Sequence, residues 1–153
     1  MATFRVLVSD PISEKGVDAL RSAPEISVDV NTGLKPDELL KIIGDYHGLV
    51  IRSETKVTPE VFAAAKNLKA IGRAGVGVDN IDRSAATDHG VVVMNTPSGN
   101  TISTAEHAFT LMLATARNIG PAHAEVLKGN FKAARKAYQG IELNGKRLAV
   151  IGM

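Results

Sequence analysis

Two arginines that each follow a short apolar run are the residues of this 153-residue chain whose type and setting point most directly to chemistry. Arg52 closes the run Gly48-Leu49-Val50-Ile51 and is followed by Ser53. A guanidinium there can fork two donors onto a carboxylate or a phosphate. A salt bridge with Glu54 or Asp10 would explain it equally well, and spacing alone does not separate the two readings. Arg73 sits in Gly72-Arg73-Ala74-Gly75-Val76-Gly77-Val78-Asp79-Asn80-Ile81-Asp82. The glycines at 72, 75 and 77 let the backbone approach a ligand closely, and successive amides beside Arg73 can form an anion-binding nest. Their spacing, G-x-x-G-x-G, is not the dinucleotide fingerprint G-x-G-x-x-G, and no long helix follows at once. A tight turn into the next helix would account for the glycines but not for the arginine, so an anion site is the favoured reading. A third polar loop, Met94-Asn95-Thr96-Pro97-Ser98-Gly99-Asn100-Thr101, either faces a cleft or is a bare linker.

Other reactive types are scattered. Glu106 and His107 are neighbours, but adjacent residues on a helix point about 100° apart and do not face one another. Glu106 is read as a capping partner and His107 as structural. His47, His89 and His123 stand alone, no metal-ligand spacing occurs, and there is no cysteine. Redox chemistry would therefore need a cofactor.

The elements that must carry these loops follow from hydrophobic periodicity. Strand-like runs at 4–9, 26–30, 48–52, 70–73 and 91–95 alternate with helix-like stretches at 13–22, 35–44, 59–66 and 82–89. Ser13 is a possible cap, Thr58-Pro59 a helix-starting pair and Gly90 a stop. Such alternation predicts an α/β fold, a flavodoxin-like parallel five-stranded sheet with helices on both faces. The three loops then lie at the carboxyl ends of strands, where open parallel sheets bind ligands. After Pro97 the pattern becomes helical, at 101–118, 121–129 and 130–139. Ser103-x-x-Glu106 fits a capping box, and Ala108, Leu111, Met112 and Thr115 form an apolar face. A turn then leads into an expected strand at 147–151.

Composition narrows the class further. With 44% hydrophobic and 22% charged residues the chain resembles an ordinary globular protein. Seven basic residues against two acidic lie from Arg117 onward. A solvated helix face or a subunit contact explains them better than nucleic acid, because only Phe131 and Tyr138 are interleaved. No leader-like start and no apolar run of about 18 residues is visible, so neither secretion nor membrane insertion is expected, and cytoplasmic residence is.

Taken together, Leu49-Val50-Ile51-Arg52-Ser53 with Thr55-Lys56-Val57-Thr58, the loop 72–82, Val93-Met94-Asn95-Thr96-Pro97 with Gly99-Asn100 and Ala105-Glu106, and Glu142-Leu143-Asn144-Gly145-Lys146 resemble the D-isomer-specific 2-hydroxyacid dehydrogenases. The resemblance runs over nearly the whole chain. It implies a two-lobed enzyme using NAD, with residues 1–97 the first part of a discontinuous substrate lobe and 98–153 the start of the cofactor lobe, a truncated Rossmann-type domain whose first strand would be 147–151. Substrate contacts would come from Arg52, Ser53, Arg73, Ala74, Gly75, Val76, Gly77 and Asn100, with Val76 on the nicotinamide side. The pair of arginines favours 3-phosphoglycerate or a related phosphorylated 2-hydroxy acid. Residues 101–138 would supply a homodimer contact. Gly152 would be at best the first glycine of an incomplete nucleotide fingerprint, and the family's catalytic arginine, glutamate and histidine would lie downstream. The chain is thus expected to be an inactive fragment, with its strand 147–151 and helix 101–115 disordered, swapped or packed on a second copy. A non-catalytic binding or dimerisation module, or a dehydrogenase for another 2-hydroxy acid, is the alternative.

Overall fold

A computed structural model describes residues 3–151 and contains two compact units, 1–100 and 101–153. In the first, β1 (Phe4–Val8), α1 (Glu14–Arg21), β2 (Ile26–Val30), α2 (Pro36–Ile42), β3 (Gly48–Ile51), α3 (Pro59–Ala64), β4 (Ala70–Arg73), α4 (Arg83–Asp88) and β5 (Val92–Asn95) alternate as expected. All pairings are parallel in the order β2-β1-β3-β4-β5. The register places Ile51 opposite Arg73 and Arg73 opposite Asn95, so the segments leaving β3, β4 and β5 emerge at one edge.

Side chains alternate across the strands because the pleat has a period of two. Leu7, Leu49, Ile51 and Ile71 are buried against Leu39, Val61, Phe62, Ala85 and Ala86, which come from α2, α3 and α4. On the other face Val6, Val8 and Val17 of α1 are buried. Helices therefore cover both faces. That second cover stops short of β5, where Val92 and Met94 are 59% and 53% exposed.

Local signals were obeyed unequally. Asp82 caps α4, its carboxylate accepting the Ala85 N–H at 2.9 Å, and Gly90 follows at φ +65°, a left-handed value suited to glycine. Ser13 occupies the N-cap position of α1, yet its hydroxyl makes no capping hydrogen bond. Instead its carbonyl accepts from Gly16 and Val17.

The second unit consists of α5 (Thr101–Ala116), α6 (Ile119–Leu127) and α7 (Phe131–Ala137). Helix α5 already begins at Thr101, so Ser103 and Glu106 both lie within its first two turns and the capping box expected at Ser103 is not the helix start. Asn118 at φ 53° breaks α5 from α6. Gly140 allows the chain to return onto the end of α5, where the Ile141 N–H donates to the Ala116 carbonyl at 2.8 Å. A Cβ at position 140 would meet that same carbonyl oxygen. The strand expected at 147–151 is not formed. A ladder needs a neighbouring strand, and among the described residues of the second unit there is none. Leu148, Ala149, Val150 and Ile151 instead line an apolar depression with Ala105, Ala108, Phe109 and Met112. Among the described residues no helix is long and apolar enough to cross a membrane.

Candidate functional site

The site begins with a buried carboxylate. Ser9 and Asp10 follow β1 directly, and each is only 1% exposed. Asp10 accepts the backbone N–H of Arg52 at 2.7 Å, of Glu54 at 3.2 Å and of Thr55 at 3.1 Å, and also the Thr55 hydroxyl. The Ser9 and Thr55 hydroxyls are 2.9 Å apart. These bonds satisfy a buried charge that would otherwise be costly, and in doing so fold the segment after β3 into a fixed hook.

Asn80 ties that hook to the segment after β4. Its amide nitrogen donates to the carbonyls of Arg52 at 2.8 Å and Thr55 at 2.6 Å, while its amide oxygen accepts from Arg73 Nε at 2.7 Å. The Arg73 side chain is 11% exposed, and its Nη2 lies 3.7 Å from the Asp79 carboxylate, which is itself 87% exposed. The absence of a side chain matters here, because a Cβ at Gly75 would stand 2.6 Å from Arg73 Nη1. The glycine spacing thus makes room for the guanidinium beneath the loop.

From the β5 side, Asn95 donates to the Val76 carbonyl at 2.6 Å and the Thr96 N–H to the Gly75 carbonyl at 3.0 Å. Both bonds consume loop carbonyls. The N–H groups of Val76 and Gly77 find no acceptor among the described residues. Arg52 likewise makes neither of the salt bridges considered from its spacing: only its backbone N–H meets Asp10, and its guanidinium has no carboxylate partner among the described residues.

Arg52, Ala74, Gly75, Val76, Thr96, Gly99 and Asn100 line one cavity of about 290 Å³. Five of these, Arg52, Ala74, Gly75, Val76 and Asn100, belong to the set chosen from sequence. Arg73 and Gly77 are not part of that lining. Ser53 borders a different depression with Lys56, Asp79, Asn80 and Asp82. Gly152 lies outside the described residues. In the sequence reading Asp10 is only a salt-bridge partner for Arg52, and Asn80, Asn95 and Thr96 are only members of their loops. Asp10 had one signal in hand, a polar residue directly after a strand-like run, at the carboxyl end where the other loops were sought.

The arrangement can hold an anion by a guanidinium and successive amides, and the lining holds no histidine or carboxylate. At about 290 Å³ the cavity is at the lower limit of small-molecule sites, a size that suits a small acid and is too small to enclose a whole dinucleotide. The remaining histidines have structural settings. His47 Nδ1 accepts the Arg5 N–H at 3.1 Å, and His89 Nδ1 lies 2.8 Å from the Ala85 carbonyl with its ring tilted over Phe62. His107 lies on the exposed surface of α5. Among the described residues no cluster suits a metal ion.

One group of perturbed ionisations lies around Asp29, and others lie at Glu60 and at the Glu125–Lys128 pair. Hydrogen bonds from Arg5 and then Tyr46 hold the Asp29 carboxyl below its ordinary range. Burial, and then its hydrogen bond to Asp29, pushes the Tyr46 hydroxyl up. Arg5 also lies over the Tyr46 ring, 4.7 Å from its centroid.

A parallel sheet in the order 2-1-3-4-5 with a polar-lined cavity at the strand carboxyl ends defines an α/β fold of flavodoxin-like topology. The family model described as D-isomer specific 2-hydroxyacid dehydrogenase, catalytic domain, matches residues 6–143, and the chain belongs to that family. A D-3-phosphoglycerate dehydrogenase of Archaeoglobus fulgidus is 54% identical over 98% of this chain, which spans 28% of that relative. A hydroxypyruvate reductase of Thermotoga maritima is 45% identical over 99% of the chain, which spans 49% of it. Among solved structures, an NAD-bound 3-phosphoglycerate dehydrogenase of Entamoeba histolytica superimposes with a TM-score of 0.66 at 32% identity, covering 76% of this chain and 40% of that one. The chain therefore spans well under two thirds of each of these relatives.

Proposed function

We propose that this chain is the substrate-anion part of an NAD-dependent D-3-phosphoglycerate dehydrogenase, the enzyme that oxidises 3-phosphoglycerate to 3-phosphohydroxypyruvate in L-serine synthesis in the cytoplasm. The observation that carries the reading is the Arg52 guanidinium, without a carboxylate partner among the described residues, on the wall of the same cavity as the Val76 backbone. Residues 1–97 act as the first part of the substrate lobe, and 98–153 as the start of the cofactor lobe with a homodimer contact through 101–138. In this reading Arg52 takes the phosphate or carboxylate of the substrate. Arg73, held at Nε by Asn80, keeps its terminal nitrogens near the loop, with a long bridge to an exposed Asp79 as their one ion pair among the described residues. Ser53, Ala74, Gly75, Val76, Gly77 and Asn100 complete the contact set, with Val76 on the nicotinamide side. Hydride and proton transfer belong to residues outside this cavity, so the chain by itself has negligible turnover.

Likeness to the hydroxypyruvate reductase favours a second reading, in which the substrate is an unphosphorylated 2-hydroxy acid. Calorimetric titration separates the two. The phosphoglycerate reading expects D-3-phosphoglycerate to bind at least about tenfold tighter than D-glycerate, with Arg52→Ala removing most of the difference. Equal affinity for both ligands favours the second reading, and binding of neither sinks both. NADH formation from NAD and 3-phosphoglycerate, followed optically, should be absent with the 153-residue chain alone.

A further inference from the structure

Asn80 commits every hydrogen-bonding group of its side chain to two loops. Both amide hydrogens go to the hook after β3, onto the Arg52 and Thr55 carbonyls, and the amide oxygen goes to Arg73 Nε. Its backbone carbonyl also accepts the Val57 N–H at 2.8 Å. The peptide group before Arg52 is pinned by Asp10 and the one after it by Asn80. Arg73, which enters from the neighbouring strand, is held by the same carboxamide. One side chain thus joins the main chain of Arg52 to the guanidinium of Arg73. No other residue type of this size offers two donors and one acceptor in the fixed planar arrangement these three contacts need. Aspartate would keep the acceptor for Arg73 but turn an oxygen toward two carbonyl oxygens, and alanine would keep nothing.

We infer that Asn80 is a positioning residue for anion recognition, one that does not touch the ligand and acts by holding Arg52 and Arg73 in a fixed relation. This rests on the anion-site reading of the preceding subsection. The mechanism is preorganisation: a guanidinium already fixed at its base loses less freedom when it closes on an anion.

The test uses the 153-residue chain and D-3-phosphoglycerate, with heteronuclear NMR reporting both affinity and the Arg73 Nε–H resonance. Without ligand, the Arg73 Nε–H is expected to exchange slowly in the unsubstituted chain and in Asn80→Asp, and rapidly in Asn80→Ala. With ligand, Asn80→Ala should weaken binding by about tenfold, and combining it with Arg52→Ala should weaken binding no more than about twofold beyond Arg52→Ala alone, because coupled residues lose the same interaction only once. Unaltered affinity in Asn80→Ala, or losses that multiply in the double variant, overturns the inference while leaving the anion site intact. Absence of binding by the unsubstituted chain overturns both. Should Asn80→Ala fail to fold, Asn80→Asp decides by its Arg73 Nε–H: rapid exchange there contradicts the assigned acceptor.

Discussion

The carboxylate of Asp10 accepts the backbone N–H of Arg52 at 2.7 Å, so the end of β1 determines where the first residue after β3 must lie. This is a contact between a fully buried side chain and an exposed residue's main chain. It converts the rigidity of the sheet into a fixed origin for the guanidinium on the cavity wall.

Replacing Asp10 by alanine would leave the N–H groups of Arg52, Glu54 and Thr55 without their shared acceptor. A loss of about 1–3 kcal/mol is expected, since part-buried donors left without their acceptor cost up to their desolvation. Urea unfolding measures it, and a change under about 0.5 kcal/mol would show that water replaces the carboxylate at no cost.

Gly75→Ala separates stability from binding. The added Cβ would stand 2.6 Å from Arg73 Nη1, the far end of a flexible side chain that can move away. The fold should lose no more than about 1 kcal/mol, whereas affinity for 3-phosphoglycerate should fall because Arg73 is displaced. Gly90→Ala should do the reverse. Its φ of +65° strains any side chain, costing about 1–2 kcal/mol, while the cleft is untouched. Parallel unfolding and titration of the two variants checks the contrast.

Stability should depend on pH through Asp29 and Tyr46, in opposite directions at opposite ends of the scale. Asp29 has its pKa lowered by Arg5 and Tyr46. Its contribution is present above the ordinary carboxylate value of about 4 and is lost as pH falls through the still lower folded value. Tyr46 has its pKa raised by burial. Its contribution is present below about pH 10 and is lost as pH rises through the higher folded value. Asp29→Asn should therefore flatten the acid limb of a pH series of melting temperatures, and Tyr46→Phe the alkaline limb. The effect of Asp29 should be small, because its side chain is 43% exposed and solvent screens the pair.

Helix α5 exposes Ile102, Phe109 and Leu113 at 72%, 56% and 53%, and no residue of the helix is buried. An apolar stripe of this kind favours association, which is the reading given above for 101–138. Sedimentation should show concentration-dependent dimers of this chain, and Phe109→Glu with Leu113→Glu should shift them to monomers. A monomer at all concentrations would remove the homodimer reading for this chain.

The order of elements was legible because parallel α/β architecture writes itself into the alternation of apolar runs and amphipathic stretches. Strands β2 and β4 fall on the residues expected, and the other three differ by a residue at one end. Caps were less legible. Ser13 has the right residue type at the right position, yet its hydroxyl does not cap, since a hydroxyl's rotamer answers to its surroundings as well as to the helix. The segment 147–151 shows the same limit from the other side: its residues favour a strand, but a strand exists only with a partner to pair with.

By itself, the sequence determined which residue types stand at the carboxyl ends of the strands: Arg52 after β3, the arginine and glycines after β4, the polar loop after β5. Chemical type and chain position are local properties, and so is the periodicity that sets the strands. Only the tertiary structure decided the partition among them. It placed Arg52 on the cavity wall without a carboxylate partner among the described residues, tied Arg73 to Asn80, and made the buried Asp10 the anchor of the hook. Those relations join residues 28 and 42 positions apart in the chain, and such contacts are fixed by sheet register and packing, which no local pattern encodes.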